Sequence, residues 1–268
     1  MLPTISCSSA VLGLPGPRPR LLAGAIPAAP RLAIVGSRAA LHRVLAVVPA
    51  LVRVAAAHGL ALVSGGARGV DRSVHDAALA QAVPQLAVLP CSPDALYPPE
   101  HADLFTAIAR TPGSGLLFSL SPGTTPARGV FASRNATILD LVGAVVIAQS
   151  APRSGSWSTG RQALRRGLRT AALTGSPGNA ELIAAGAAAI DIADGGVPDT
   201  FSTWLSGQAP APRPWPDELA WLRAAFTAAG AAGLTLDELD DPRACTALLT
   251  AELRGLVVES SPGRYHAA

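Results

Sequence analysis

The chain of 268 residues contains no lysine, one methionine, three cysteines and only 4% aromatic residues. All 21 basic positions are therefore arginines, a bias that the nucleotide composition of a source genome is enough to explain. Hydrophobic residues nevertheless make up 49% of the chain, so its core must consist mainly of alanine, valine and leucine. Such a composition excludes a largely disordered protein and favours alternating strands and helices.

The sequence also lacks features of metal, disulfide and membrane proteins. Cys7, Cys91 and Cys245 show no CxxC spacing and have no histidine at ligand spacing. No window approaches the roughly 20 apolar residues of a membrane helix. Residues 1–30 are rich in proline and alanine, with a first arginine only at position 18, so we expect a disordered arm rather than a secretory signal. We therefore expect reduced thiols and a cytoplasmic protein.

Charge is unevenly distributed along the chain, although the net charge is only +3. Residues 31–175 contain fourteen arginines and six acidic residues, for a net charge of +8. Residues 215–268 contain four arginines and eight acidic residues, for a net charge of −4. A polyanion would therefore bind the first segment and not the second.

From residue 31 onward, short branched apolar runs alternate with helical patterns. The predicted strands are 31–37, 60–64, 85–90, 115–120, 143–149 and 170–175, with a possible edge strand at 187–192. The predicted helices are 41–59, 70–81, 100–110, 132–142 and 157–168. This alternation requires right-handed crossovers, and it predicts an α/β fold with a mostly parallel sheet covered by helices on both faces.

The C-terminal part of the chain has a different organisation. Residues 206–216 form a proline-rich stretch typical of a stiff linker. Two helical segments at 217–229 and 243–254 and a hairpin-like end follow, which predicts a small winged-helix domain at 217–268. Its acidic excess makes this domain a poor duplex binder, so we expect it to bind a protein or to dimerise.

Glycine-rich and polar loops follow five of the predicted strands, and in parallel sheets ligands bind at these carboxyl ends. The stretch Ser64-Gly65-Gly66-Ala67-Arg68-Gly69 joins the second strand to a helix, so its backbone amides and the helix dipole converge on one place. A dinucleotide fingerprint would follow the first strand, and an acidic residue that binds the ribose would come after it. This stretch instead follows the second strand and carries the basic Arg68. The stretch therefore predicts a phosphate site of another kind, the alternative being a tight turn without a ligand.

Five arginines from separate segments should converge on the same edge of the sheet, where they would form a channel for a polyanion. They are Arg38, Arg68, Arg128, Arg134 and Arg153. Phe131 lies between Arg128 and Arg134 and either stacks a nucleic-acid base or fills the core. Asn135 either reads a base edge or caps a helix. We interpret Asp71 as a charge that complements the helix dipole or as a partner for Arg68.

The candidate residues for this anionic ligand are Gly36, Ser37, Arg38, Ser64, Gly65, Gly66, Arg68, Gly69, Arg128, Phe131, Arg134, Asn135 and Arg153. No catalytic set is predicted, because no histidine, serine or acidic residue has a partner at recognisable spacing. No metal and no cofactor are predicted either.

These segments resemble the bacterial DNA-processing protein DprA (Smf) family. The motifs that carry the resemblance are GSR at 36–38, SGGARGVDRSVHDAAL at 64–79, YPPEH at 97–101, SPGTTPARGVFASRN at 121–135, RSGSWSTGRQAL at 153–164 and GSPGN at 175–179.

The resemblance covers about residues 31–190 and implies an extended Rossmann-like domain, for which we predict the bounds 31–205, that binds single-stranded DNA and forms a homodimer. It implies that the candidate residues named above bind this DNA, with Arg38, Arg68, Phe131, Arg134 and Asn135 at family positions of the DNA pocket. It also implies that the protein protects incoming DNA and helps to load the RecA recombinase in natural transformation, and it implies no membrane partner. The chain departs from the family at residues 131–135, where FASRN replaces an FPRRN-like run and has one basic residue fewer.

Two functions of other classes stay open. The first is an enzyme acting on nucleoside monophosphates, since related folds include phosphoribohydrolases. Those enzymes carry a PGGxGT-like turn followed by a catalytic glutamate, whereas SPGTTPARG at 121–129 has neither the second glycine nor the glutamate. The second is a nucleotide-sensing protein of the same fold.

Overall fold

The computed structural model describes residues 4–7, 20–124, 129–192, 199–206, 215–253, 257–261 and 263–267. The strands are β1 (Thr4–Cys7), β2 (Arg20–Gly24), β3 (Arg31–Gly36), β4 (Ala61–Ser64), β5 (Gln85–Leu89), β6 (Gly115–Phe118), β7 (Ala144–Gln149), β8 (Arg169–Leu173), β9 (Ala188–Ile190), β10 (Leu234–Thr235), β11 (Val257–Ser261) and β12 (Arg264–Ala267). The α-helices are α1 (His42–Ala57), α2 (Val70–Ala80), α3 (Ala102–Arg110), α4 (Val130–Asp140), α5 (Gly155–Arg165), α6 (Pro177–Ala184), α7 (Asp199–Leu205), α8 (Ala220–Ala229) and α9 (Ala244–Leu253).

The described residues form a nine-stranded sheet in the order β1-β2-β6-β5-β4-β3-β7-β8-β9. The strands from β6 to β9 in this order pair in parallel, whereas β2 runs antiparallel to β6 and β1 antiparallel to β2. The predicted Rossmann-like, mostly parallel sheet is therefore confirmed. Since β3 lies between β4 and β7, the loops that leave these three strands share one edge, which we call the carboxyl edge.

The central strands are buried on both faces, which explains their continuous apolar runs. On β3, Leu32 and Ile34 face a core layer that includes α1, α2 and α7, whereas Ala33 and Val35 face the layer of α4, α5 and α6. Helix α3 packs on the strands at the β2 end of the sheet. Because helices cover both faces of the sheet, a ligand can reach the parallel strands only at their ends, where the loops leave them.

The expectation of a disordered arm at 1–30 is wrong for the part that the structure describes. Strand β2 pairs with β6 and buries Leu22 and Ala23, and β1 pairs with β2. The strand was missed because RLLAG is short and lies in a proline-rich context. Helices α6 and α7 were not predicted either, while α1 to α5 overlap the predicted segments, their ends differing by a few residues.

The C-terminal elements surround an apolar cluster of their own that includes Leu222, Phe226 and Leu248. Helices α8 and α9 accompany a three-stranded antiparallel sheet in the order β10-β12-β11. The described elements contain the two helices and the hairpin that the sequence predicted, and the winged-helix assignment itself stays a prediction. Most of the predicted linker, residues 207–214, lies outside the described residues.

Candidate nucleic-acid interface

Hydrogen bonds join the loops that leave β3, β4 and β7 at the carboxyl edge. The Val70 amide, at the start of α2, donates to the Ser37 carbonyl over 3.2 Å. The Leu41 amide donates to Oε1 of Gln149, the last residue of β7, over 2.8 Å. The segments that carry Ser37, the glycine stretch and the end of β7 are therefore neighbours, as the sequence predicted.

The stretch 64–69, which we call the glycine turn, leads from β4 into the N-terminus of α2. Gly69 has a φ of 74° and packs against the backbone of Ser37 and Arg38, where a Cβ would overlap the Ser37 carbonyl oxygen. This left-handed conformation and close approach explain why glycine precedes the helix. The turn therefore brings the positive end of the α2 dipole to the carboxyl edge.

An arginine and two aromatic rings form an exposed cluster next to this turn. The guanidinium carbon of Arg38 lies 5.0 Å from the centroid of the Phe131 ring. The Phe131 and Tyr97 rings meet edge to face, with centroids 5.8 Å apart and an interplanar angle of 75°. Phe131 is 38% exposed and Tyr97 is 42% exposed, so the core alternative for Phe131 is wrong. We call Arg38, Tyr97 and Phe131 the aromatic cluster.

Tyr97 was missed by the sequence prediction, although it belongs to the YPPEH motif at 97–101. The signal was an aromatic residue in a chain with few aromatics, directly before two prolines. The motif is anchored below the surface, because Nδ1 of the buried His101 lies 3.0 Å from the carbonyl oxygen of Gly66. This contact fixes residues 97–101 against the glycine turn.

Arg68 is exposed, and its Nε donates to Oε1 of Glu100 in the same motif. The hydrogen bond from Arg68 lowers the pKa of Glu100. The alternative that Arg68 pairs with Asp71 is therefore wrong, because Asp71 lies against Arg134. Arg68 thus stands at the predicted site with an acidic neighbour that a phosphate would have to replace.

Arg134 and Asp71 form a buried ion pair beneath the glycine turn. Nη1 of Arg134 lies 3.8 Å from Oδ2 of Asp71, and the two side chains are 5% and 6% exposed. Burial lowers the pKa of Arg134, and the nearby Asp71 carboxylate opposes this effect. Ser64 is also fully buried, and its hydroxyl donates to the Ile34 carbonyl over 2.7 Å. The side chains of Arg134 and Ser64 therefore lie below the surface that the other predicted residues form.

The remaining predicted residues lie on α4 and in the loops of the carboxyl edge. The Asn135 side-chain amide donates to Oγ1 of Thr159 over 2.9 Å, which joins α4 to α5. Arg153 is exposed in the loop after β7, where the Ser154 hydroxyl caps α5 by accepting from the Trp157 amide. Gly36 is the last residue of β3, and Gly65 and Gly66 directly follow the end of β4. Arg128 lies outside the described residues.

Neither a metal centre nor a membrane span is found in the described ranges. No group of three or more histidine, cysteine, aspartate or glutamate residues there is placed to hold a metal ion. Within the same ranges, no helix combines the length and the apolar character that crossing a bilayer requires. The carboxyl edge offers exposed guanidinium groups, exposed aromatic rings and the N-terminus of α2, which suit an anionic ligand with planar rings.

The fold and this edge define the chain as a Rossmann-like α/β protein with a basic, partly aromatic carboxyl edge. The sequence model of the family described as DNA recombination-mediator protein A matches residues 21–196. The chain therefore belongs to the DNA recombination-mediator protein A family, which confirms the resemblance to DprA and Smf proteins seen in the sequence.

Several curated relatives share part of the chain. A putative DNA processing protein DprA of Mycobacterium tuberculosis is 38% identical over 149 residues, which cover 55% of this chain and 38% of the relative. The DNA processing protein DprA of Streptococcus pneumoniae is 32% identical over 147 residues, which cover 55% and 51% of the two chains. This chain thus spans about half or less of the length of these relatives.

Two solved structures are similar to this one in fold. DNA processing protein A of Helicobacter pylori, whose structure describes a single-stranded DNA binding mode, superposes with a TM-score of 0.64 and 26% identity, covering 76% of this chain and 96% of that chain. The Streptococcus pneumoniae DprA structure superposes with a TM-score of 0.62 and 27% identity, covering 70% and 71%.

Proposed function

We propose that the carboxyl edge binds single-stranded DNA with little sequence preference. The observation that carries this proposal is the position of the exposed Arg38 guanidinium over the exposed Phe131 ring, with Tyr97 against the same ring. A single strand presents phosphates and unpaired bases together, so a cation beside aromatic surface matches both of its parts. The single-stranded DNA binding mode described for the Helicobacter pylori relative supports the choice of ligand.

The aromatic cluster favours single strands over duplex DNA for a physical reason. Stacking on a protein ring requires a base that has left its own stack, and such a contact contributes about 1–3 kcal/mol per base. In a duplex each base would first have to be unstacked and unpaired at a cost of a few kcal/mol. The perpendicular Tyr97 and Phe131 rings also form a corner, in which one base can place its face on one ring and its edge against the other.

The phosphates would bind beside this corner, at the glycine turn and the exposed arginines. The turn directs the N-terminus of α2 toward the carboxyl edge. Three arginines are exposed in the loops of this edge: Arg38 after β3, Arg68 in the turn itself and Arg153 after β7. Such contacts carry no sequence information, so binding should tolerate any sequence and weaken with salt. Arg128 stays a prediction for the same role.

We infer that the protein acts as a recombination mediator without a catalytic step of its own. The family description supports this role, and the resemblance to DprA adds transformation as its setting, RecA as its partner and a homodimer as its assembly. Mixing the protein with RecA and single-stranded DNA coated by a single-strand binding protein tests it, since faster filament formation is expected.

We propose that residues 217–268 form a winged-helix-like domain that binds a protein instead of DNA. Helix α9, Ala244–Leu253, contains no arginine, and residues 215–268 carry a net charge of −4. A helix without basic residues neutralises no phosphate and gains little from a DNA groove. Hydrogen exchange in α9 is therefore expected to slow when a protein partner is added and to stay unchanged with duplex DNA.

Fluorescence polarisation with a labelled oligo-dT tests the DNA site itself. R38A is expected to weaken binding, because it removes both a phosphate contact and the cation over Phe131. R53A is the matched control, since Arg53 is an exposed arginine near the C-terminal end of α1, away from the carboxyl edge. Equal binding by wild type and R38A would refute the site. Binding of free nucleotides without binding of oligonucleotides would instead favour the sensing function.

A further inference from the structure

Asp71 places a negative charge where the proposed function requires a phosphate to bind. It lies in the first turn of α2, and its Oδ2 accepts a hydrogen bond from the Ala67 amide of the glycine turn over 3.3 Å. The carboxylate is 6% exposed, so water screens its charge poorly. An unpaired carboxylate at this position would repel phosphate from the turn.

Arg134 supplies the opposite charge from below the turn. Its Nη1 lies 3.8 Å from Oδ2 of Asp71, and its side chain is 5% exposed. Its Nε is buried and has no hydrogen-bond partner in the described residues. The guanidinium lies so close to Gly65 that any side chain at that position would overlap Nη1. Arg134 is therefore buried against the glycine turn and has almost no surface that a ligand could contact.

We propose that Arg134 is a positioning residue, which neutralises Asp71 beneath the glycine turn so that the turn can bind a DNA phosphate that Arg134 itself does not contact. The inference rests on the proposed function and changes the role that the sequence predicted for Arg134. Stability of the fold alone does not explain this ion pair. Nη1 of Arg134 and Oδ2 of Asp71 are 3.8 Å apart and Nε of Arg134 has no hydrogen-bond partner in the described residues, so the pair recovers little of the free energy that burying two charges costs.

A pair of charge-removing variants distinguishes positioning from direct contact. R134Q leaves the Asp71 charge unpaired and is expected to weaken oligo-dT binding about tenfold or more. Adding D71N removes that charge, so the double variant D71N/R134Q is expected to recover most of the wild-type affinity and the wild-type salt slope. If Arg134 contacts a phosphate, the double variant stays weak and its salt slope remains about 0.7 shallower than that of wild type.

The single variant D71N provides a second test if R134Q does not fold. It leaves Arg134 with an uncompensated positive charge beneath the turn, so oligo-dT binding is expected to become tighter. Thermal unfolding of each variant shows whether it is folded at the temperature of the binding assay. Unchanged or weaker binding by folded D71N would overturn the inference.

A matched control lies on the same helix. Arg72 and Asp76 form an exposed ion pair one turn apart on α2, with Nε and Oδ2 separated by 2.7 Å. R72Q and D76N/R72Q make the same charge changes in water and are expected to bind oligo-dT within about twofold of wild type. Failure of wild type to bind oligo-dT would refute the proposed function, whereas wild-type binding without rescue by D71N/R134Q would refute only the positioning role.

Discussion

The Arg38 guanidinium lies over the Phe131 ring with 5.0 Å between its carbon and the ring centroid, and these two residues come from distant segments of the chain. Arg38 follows β3, whereas Phe131 lies in the first turn of α4, which connects β6 to β7. Because 38% of Phe131 is exposed, part of its ring is available for a ligand to contact beside the Arg38 cation. The proposed single-stranded DNA site depends on this pair.

Removal of the Phe131 ring is expected to weaken oligo-dT binding. F131A should lower the affinity by about 1–3 kcal/mol, because it removes a stacking surface for a base, whereas F131W should retain most of it. Polarisation titrations at one salt concentration measure this change. L236A is the control, because Leu236 is a similarly exposed apolar residue in the C-terminal part of the chain. Equal losses in F131A and L236A would contradict the stacking role.

Glu100 is expected to limit the affinity for DNA. It holds Arg68 in an exposed ion pair, and a phosphate that binds Arg68 must replace it. E100Q should therefore bind oligo-dT more tightly, with a salt slope steeper by about 0.7.

The charge-matched control for Glu100 is D103N, because Asp103 is an exposed acidic residue in the first turn of α3. D103N should raise the affinity less and leave the salt slope unchanged. The double variant E100Q/R68A should lose the gain that E100Q produces. A gain that survives the loss of Arg68 would show that Glu100 acts through overall charge and not through this ion pair.

Ser133 offers a gain-of-function test, because it is exposed on α4 within FASRN, the segment that has one basic residue fewer than the FPRRN-like run of the resemblance. S133R is expected to add a phosphate contact, which tightens binding at low salt and steepens the salt slope by about 0.7. A80R adds the same charge at the far end of α2 and should leave the salt slope unchanged. The prediction fails if both variants change the slope equally.

Stability should decrease when the solution is acidified below about pH 6.5. Burial lowers the pKa of His75 in the folded protein, and its Nε2 has no hydrogen-bond partner in the described residues. The unfolded chain therefore binds a proton more readily, so the stability that neutral His75 provides is full above pH 6.5 and is lost as the pH falls toward the folded pKa.

Urea unfolding at pH 7.0, 6.0 and 5.0 measures this effect. H75N should reduce the loss of unfolding free energy across this range, while H42N, at an exposed position on α1, should show the wild-type loss. The stabilisation from carboxylates with lowered pKa values, such as Glu100, is present above about pH 4.5 and is lost only below it, so it does not obscure this window. An identical pH dependence in H75N and wild type would exclude His75 as the cause.

The parallel core could be predicted from sequence because its strands are buried on both faces. Runs such as 31–36 and 144–149 are almost entirely apolar, and the helical pattern between strands determines the crossovers. Strand β2 could not be predicted in this way, because it pairs at an edge with β6 and its five residues show no period. Its position depends on a long-range pairing.

The convergence of the loops at the carboxyl edge was also predictable, but the depth of each side chain was not. Phe131 and Arg134 lie three positions apart on α4, yet one is exposed and the other is 5% exposed. Arg134 is buried because Gly65, from another segment, leaves room for its guanidinium and Asp71 neutralises it. Neither local pattern nor charge contains that information.

The most direct test of the central claim is a salt titration of oligo-dT and duplex DNA binding by wild type, R38A and R53A. Wild type is expected to bind oligo-dT more tightly than duplex, and R38A should lose both affinity and about 0.7 of the salt slope, while R53A retains both. Equal affinity of wild type for the two forms of DNA, or a slope unaltered in R38A, would contradict a single-stranded DNA site built on Arg38 and Phe131.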